Sequence, residues 1–306
     1  MPGQPDRRSA FAAFVWRHHT ASHDRVVYPH SQEGGASSLT AHPVRMHRTL
    51  AFVVVAVATA VPAMLPREVH DPASGFTALV YEPPNPQGPM PLLLYLHGAG
   101  ESGMRVRELI SEGATGTPPV ELENGRALSV LARRFVTVAP QTSHGWAAEE
   151  VGRLLDFLLD AKGAHGLALD PQRCYVTGHS MGGAGAIAAG TLRRFAAVVP
   201  VAPAGSVPPR ELLGVPVWAF HGKNDVVVPY SYSEHLITRL RSLGANESDA
   251  RLTLYEQAPA PVGWPDYDGH ASTILAYSTL ELYKWLLEQR CHTCSGSRVA
   301  DGVEQG

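Results

Sequence analysis

The sequence predicts an α/β fold: a mostly parallel central sheet with helices on both faces. Three observations carry that expectation. Short β-branched or aromatic runs recur from residue 76 onward, helical periods fall between them, and the central runs are apolar throughout, as in strands buried on both sides. The composition agrees, since 306 residues with 44% hydrophobic and 17% charged side chains suit a globular chain with one large core.

In chain order, residues 1 to 45 are rich in Arg, His, Ser, Pro and Gly with no sustained period, and are expected to carry no core structure. The segment "MHRTLAFVVVAVATAVPAMLP" then joins a basic start (His47, Arg48), an apolar run from Leu50 to Val61, and small residues at Ala58, Ala60 and Ala63. That is the order of a secretory signal, which would open the chain only if synthesis began at Met46. Behind that reading come a marginal membrane anchor following an organelle-type leader and a buried strand. The run is short for a membrane span, which needs about 20 apolar residues. The expected organisation is therefore a leader over 1–66 with a signal-like segment at 46–63, a catalytic domain over 67–290, and a flexible tail over 291–306. Secretion follows if 46–63 acts as a signal, and an organellar or membrane-anchored location otherwise; membrane contact is expected only through residues 50–65.

Strands are expected at "FTALVY", "PLLLYL", "FVTVAP", "RCYVTG", "AAVVPV", "VPVWAF" and "RLTLYE". Val151, Leu154, Leu155, Leu158 and Leu159 recur at helical spacing before Gly163. Further helices are expected from about Ala184 and through "SEHLITRLRSLG", with a last one near the C-terminus. No internal repeat is visible.

The stretch "VTGHSMGG" places Ser180 between a strand and a small-residue helix. In so tight a turn Gly178 and Gly182 give clearance, and Ser180 Oγ projects from the C-terminal edge of the sheet, where open α/β folds bind ligands. The N–H of Met181 at the helix start is one candidate oxyanion donor. A second is the N–H of Ala99, in the glycine-rich loop "HGAGESG" at the end of an early strand. A serine hydroxyl is a poor nucleophile until an oriented base takes its proton. Downstream, Asp225 follows the strand "VWAF" and His270 lies in a loop before the final helix. The order Ser, Asp, His after successive strands fits a nucleophile, an orienting acid and a base.

Other candidates fit less well. His97 and His221 precede glycines at strand ends and read as braces. His235 falls inside a helix, His292 lies in the tail, and Asp266 and Asp268 read as solvated loop acids. Cys174 sits in an apolar run as a small buried hydrophobe, and Cys291 and Cys294 read as an exposed tail pair. No H-E-x-x-H or paired Cys/His set is present, so no metal is expected. A formal net charge of −3 without a basic cluster gives no footprint for nucleic acid.

From about Phe76 to Gln289 the chain resembles a serine hydrolase of the α/β-hydrolase superfamily. It is most similar to the esterase branch that includes predicted peptidases, polyhydroxybutyrate-depolymerase-like and feruloyl-esterase-like proteins, and more distantly to dienelactone hydrolases and acyl-protein thioesterases. The stretches that carry the resemblance are "PLLLYLHGAGESG", "VTVAPQTSHGW", "DPQRCYVTGHSMGGAGA", "PVWAFHGKNDVVVP" and "GHASTILAYSTLELYKWLL". It implies Ser180, Asp225 and His270 as a triad, Ala99 and Met181 as oxyanion donors, and hydrolysis of a small-molecule or polymer-linked acyl ester or thioester without a cofactor. One departure is Ser272 and Thr273, where members of the branch often carry an aromatic residue.

The short connection between "AAVVPV" and "VPVWAF" leaves no room for a large cap domain, so the site should be open. Residues 101–134 are expected to form an irregular wall, and Trp146 and Trp264 are candidate substrate-pocket residues, with a place in the core the commoner fate of a tryptophan. A serine peptidase of the prolyl-oligopeptidase-like type would use the same triad, and a non-catalytic binding protein on this scaffold would typically lack one of the three residues.

Overall fold

The computed structural model describes residues 61–111, 114–160 and 165–294; residues 1–60 of the expected leader, including 46–60 of the signal-like segment, lie outside them. The strands are β1 (Arg67–His70), β2 (Thr77–Tyr81), β3 (Met90–Leu96), β4 (Val136–Pro140), β5 (Leu169–His179), β6 (Ala197–Val201), β7 (Val217–Gly222) and β8 (Ala250–Tyr255). They form one eight-stranded sheet in the order β1-β2-β4-β3-β5-β6-β7-β8. β2 pairs antiparallel with β1 and β4, and every other pairing is parallel. All seven expected strands are present. The eighth, β1, is a four-residue edge strand, Arg-Glu-Val-His, with one buried side chain, too short and polar to announce itself by period.

The helices are α1 (Pro118–Glu123), α2 (Ser129–Arg134), α3 (Ala148–Leu159), α4 (Met181–Gly190), α5 (Ser231–Ser242), α6 (Ser272–Ala276) and α7 (Leu280–Glu288). Strand alternation divides the core in two. Leu92, Leu94 and Leu96 of β3 point to the face covered by α3, α4 and α5, while Leu93 and Tyr95 point to the face covered by α1, α2, α6 and α7. The doubly covered sheet explains the continuous apolar runs. The wall expected to be irregular instead carries two 3-10 turns, α1 and α2. Proline at the start of α1 suits a helix first turn, where its missing N–H costs nothing.

The packed body extends past the expected 67–290 at both ends. Val61 is buried on the α1 side, and Met64 N–H donates to Leu122 O at 3.0 Å. Cys291 and Cys294 form a disulfide. Cys291 is not exposed as expected: β5 starts as early as Leu169, and Cys291 N–H reaches the Gln172 carbonyl at 2.9 Å while its side chain packs on the α7 side. Cys174 is buried, as the apolar run implies. Among the described residues, no helix is long and apolar enough to cross a membrane.

The C-terminal edge of β3 and the turn from β5 into α4 meet backbone to backbone. A Cβ on Gly182 would overlap the Leu96 carbonyl, and one on Gly178 would lie 2.7 Å from the same oxygen. Gly182→Ala should therefore lower folding stability by at least about 3 kcal/mol in urea unfolding; a loss under about 1 kcal/mol would show that the contact can relax.

Candidate active site

Ser180 stands between β5 and α4 with φ 56° and ψ −115°, a conformation that costs a non-glycine residue on the order of 1–3 kcal/mol. The surroundings hold it there. Ser180 N–H donates to Val201 O at 2.9 Å, and its carbonyl accepts from Ala184 N–H and Ala204 N–H, each at 3.0 Å. The β6 end and the first turn of α4 thus grip the turn from both sides. Ser180 is 1% exposed, and its Oγ makes no hydrogen bond to the described residues. Met181 opens α4, where the first N–H groups of a helix have no intrahelical acceptor. The helix begins three residues before the expected Ala184, because the strained Ser180 ends the strand abruptly.

Asp225 sits in the turn after β7 and is held from several directions. Its Oδ1 accepts Val227 N–H and Val228 N–H at 2.9 Å each, and its Oδ2 lies 2.8 Å from His270 Nδ1 and 3.3 Å from His221 Nε2. Burial alone would raise its pKa, but the hydrogen bonds from His221 and His270 and the backbone N–H groups outweigh it and hold the carboxyl well below the usual carboxylate range. An ionised carboxylate only accepts, so His270 Nδ1 carries the hydrogen of that bond. His221 braces the acid, with Nδ1 on Ser233 Oγ at 2.8 Å. Gly269, at φ +78°, lets the histidine loop close on this turn, since a Cβ there would overlap the backbone of Asn224 and Asp225.

Ser180 and His270 line one cleft of about 340 Å³ with Gly98, Ala99, Gly100, Glu101, Met104 and Ser111 on one side and Pro261, Val262, Gly263, Trp264 and Tyr267 on the other. The structure thus brings Ser180, His270, Ala99 and Trp264 to one cavity, with Asp225 behind His270 and Met181 adjoining Ser180. Trp146 lies elsewhere. It is buried against Phe76 and His97, and its Nε1–H donates to His97 O at 3.0 Å, so it supports the glycine-rich loop from below. His97 also braces that loop, accepting Thr142 N–H at Nε2 (3.1 Å) with Nδ1 on Gly98 O (2.7 Å). Ser272 and Thr273 are buried at the start of α6, where Thr273 Oγ1 donates to Thr115 O at 2.9 Å, and do not line the cleft. Among the described residues, no cluster of three His, Cys, Asp or Glu side chains could hold a metal ion.

The expected 101–134 wall supplies Glu101, Met104 and Ser111 to the cleft, though the sequence singles out none of them; sequence reasoning passes over Tyr267 and above all His179. His179 occupies the variable position between Gly178 and Ser180, where the motif fixes the backbone and says nothing of the side chain. Its Nε2 lies 2.8 Å from His270 O, and the two rings are 4.7 Å apart. Burial pushes His179 down to about 3, with the neighbouring His270 adding to the effect, and burial pushes His97 down to about 4.

Comparison with known proteins supports the fold. A thermostable esterase superposes with a TM-score of 0.58 at 27% identity over 76% of this chain, which spans only 64% of the length of that esterase. A protein assigned as a dienelactone hydrolase from Klebsiella pneumoniae gives 0.52 at 19% identity, covering 74% of this chain and 99% of that one. An S-formylglutathione hydrolase from Staphylococcus aureus gives 0.50 at 14%, covering 74% and 98%. No family model and no curated protein matches the sequence. The fold is the α/β-hydrolase fold, as the sequence predicts, and the likeness to the thermostable esterase agrees with the resemblance to the esterase branch.

A histidine kept neutral in the folded protein takes up its proton on unfolding, so stability falls as pH drops below the ordinary imidazole value of 6.5 toward the depressed values of His97 and His179. Asp225 adds loss of the same sign below 3.8. Urea unfolding should give a stability lower by on the order of a few kcal/mol at pH 4.5 than at pH 7, through His97 and His179 together; equal values would contradict the neutral assignment.

Proposed function

We propose that this α/β-hydrolase-fold chain is a serine esterase that cleaves carboxylic esters or thioesters through an acyl-enzyme. The observation that carries the reading is the bond from His270 Nδ1 to the buried Asp225 carboxylate, with His270 and the strained Ser180 lining one cleft. In this reading Ser180 Oγ attacks the acyl carbonyl while His270 Nε2 takes its proton. The C–O or C–S bond to the leaving group then breaks as the imidazolium returns that proton to the departing atom. Water repeats the sequence on the acyl-enzyme and frees the acid. Asp225 fixes the imidazole tautomer and offsets the charge that develops on the ring. The Ala99 and Met181 N–H groups receive the tetrahedral oxyanion. No cofactor enters this chemistry.

The cleft favours a small acyl group. Its volume of about 340 Å³ lies near the bottom of the range for small-molecule sites, roughly 300–1,000 Å³. The connection from β6 to β7 holds one 3-10 turn, Pro209–Leu212, in place of a cap. Trp264 and Tyr267, 5.1 Å apart, give the far wall an aromatic surface.

On p-nitrophenyl esters of graded length, kcat/KM should be highest for short acyl chains and fall by an order of magnitude or more toward palmitate. A peptide p-nitroanilide should be turned over far more slowly; amide turnover without ester turnover would instead favour a serine peptidase. Ser180→Ala should reduce kcat by at least about 10⁴-fold. Asp225→Asn should reduce it by about 10³ to 10⁴-fold at neutral pH, since a neutral amide no longer fixes the tautomer. Activity unchanged in Ser180→Ala would remove the mechanism.

A further inference from the structure

His179 ties the turn that carries Ser180 to the loop that carries His270. Its backbone belongs to β5, in register with Val201 of β6, so its Cα is as fixed as the sheet. Its side chain leaves the sheet edge beside the glycine-rich loop, where a Cβ on Gly98 would lie 3.5 Å from His179 Nδ1. At its far end Nε2 meets the His270 carbonyl at 2.8 Å, and the two rings pack at 4.7 Å with a tilt of 48°. Because a carbonyl only accepts, Nε2 is the donor.

Several other restraints on His270 come from elsewhere. Asp225 holds the ring from the turn after β7, and the His270 N–H donates to Tyr267 O at 3.1 Å within its own loop. The next residue, Ala271, donates its N–H to Pro259 O at 2.9 Å. None of these involves the nucleophile turn. The bond from His179 does, and it starts one residue from Ser180.

We infer that His179 is a positioning residue, which sets the spacing between Ser180 and His270 by donating its Nε2–H to the His270 carbonyl from the residue next to the nucleophile. This inference rests on the reading of Ser180 as nucleophile and His270 as base. The depressed basicity of His179 fits the role, since a neutral ring makes the bond without placing a second cation beside the imidazolium that forms on His270. A displacement of about 1 Å between reacting groups costs up to about 10²-fold in rate, and that is the scale of the effect expected.

The test compares two amides in the full chain. In His179→Gln the side-chain nitrogen reaches the position of Nε2; in His179→Asn it falls short of it. kcat for a short p-nitrophenyl ester should stay within about threefold of wild type in His179→Gln and fall about 10 to 100-fold in His179→Asn, with KM within about threefold in both. The downfield proton resonance of His270 Nδ1–H, identified by its loss in Asp225→Asn, should persist in His179→Gln and broaden or shift in His179→Asn. A packing role alone would affect both variants alike and move the unfolding midpoint, leaving kcat per folded site unchanged. Equal kcat and unchanged resonances in the two variants would overturn the inference. If the wild type hydrolyses no ester, the esterase reading fails by itself, and the resonance comparison still decides whether His179 places His270.

Discussion

The contact between the Leu96 carbonyl and the backbone of Gly182 sets the geometry of everything around the cleft. There is no room for a side chain between them, so β3 and the first turn of α4 approach as closely as two backbones can. That approach forces the reversal at Ser180 into a positive-φ conformation, and the hydrogen bonds from Ala184 and Ala204, with the one Ser180 donates to Val201, keep it there. The strain is local, and a sheet covered on both faces provides the packing that offsets it. The same approach brings Ala99, which follows β3, to the cleft that Ser180 lines.

A second assembly forms on the other side of the cleft by a different device. The turn after β7 gathers two imidazoles and two backbone N–H groups around one carboxylate. Burying an anion is costly unless it is fully hydrogen-bonded, and Asp225 meets that condition with four partners, one of which is His270. Gly222 and Gly269 let the two loops close on one another. The two halves thus rest on separate backbone contacts at the same edge of one sheet, and the hydrogen bond from His179 to His270 O spans the gap between them.

Much of this was legible in the sequence because it depends on patterns the backbone enforces. Strands buried on both faces must be apolar throughout, so the central ones stand out, and the edge strand β8 still alternates apolar with polar residues; β1, exposed and half charged, does not stand out. The glycines around Ser180 mark a turn no other residue could make, and the chain order of Asp225 and His270 follows from strand order. What could not be read are side chains whose role depends on where distant segments land. Trp146 looks like a pocket residue until the chain places it under the glycine-rich loop. Cys291 looks like tail until β5 proves long enough to hold it. The sequence marks 101–134 as a wall but not which of its positions, such as Glu101 and Met104, face the cleft, and His179 at the variable position of the serine motif is recognisable only in three dimensions.

Reaction with a fluorophosphonate shows whether Ser180 is activated without presupposing a substrate. One adduct per chain is expected, located on Ser180 by peptide mass spectrometry, formed rapidly by the wild type and at least about a hundredfold more slowly when His270 is replaced by alanine. An adduct on another residue, no adduct at all, or labelling of Ser180 indifferent to His270 would contradict it.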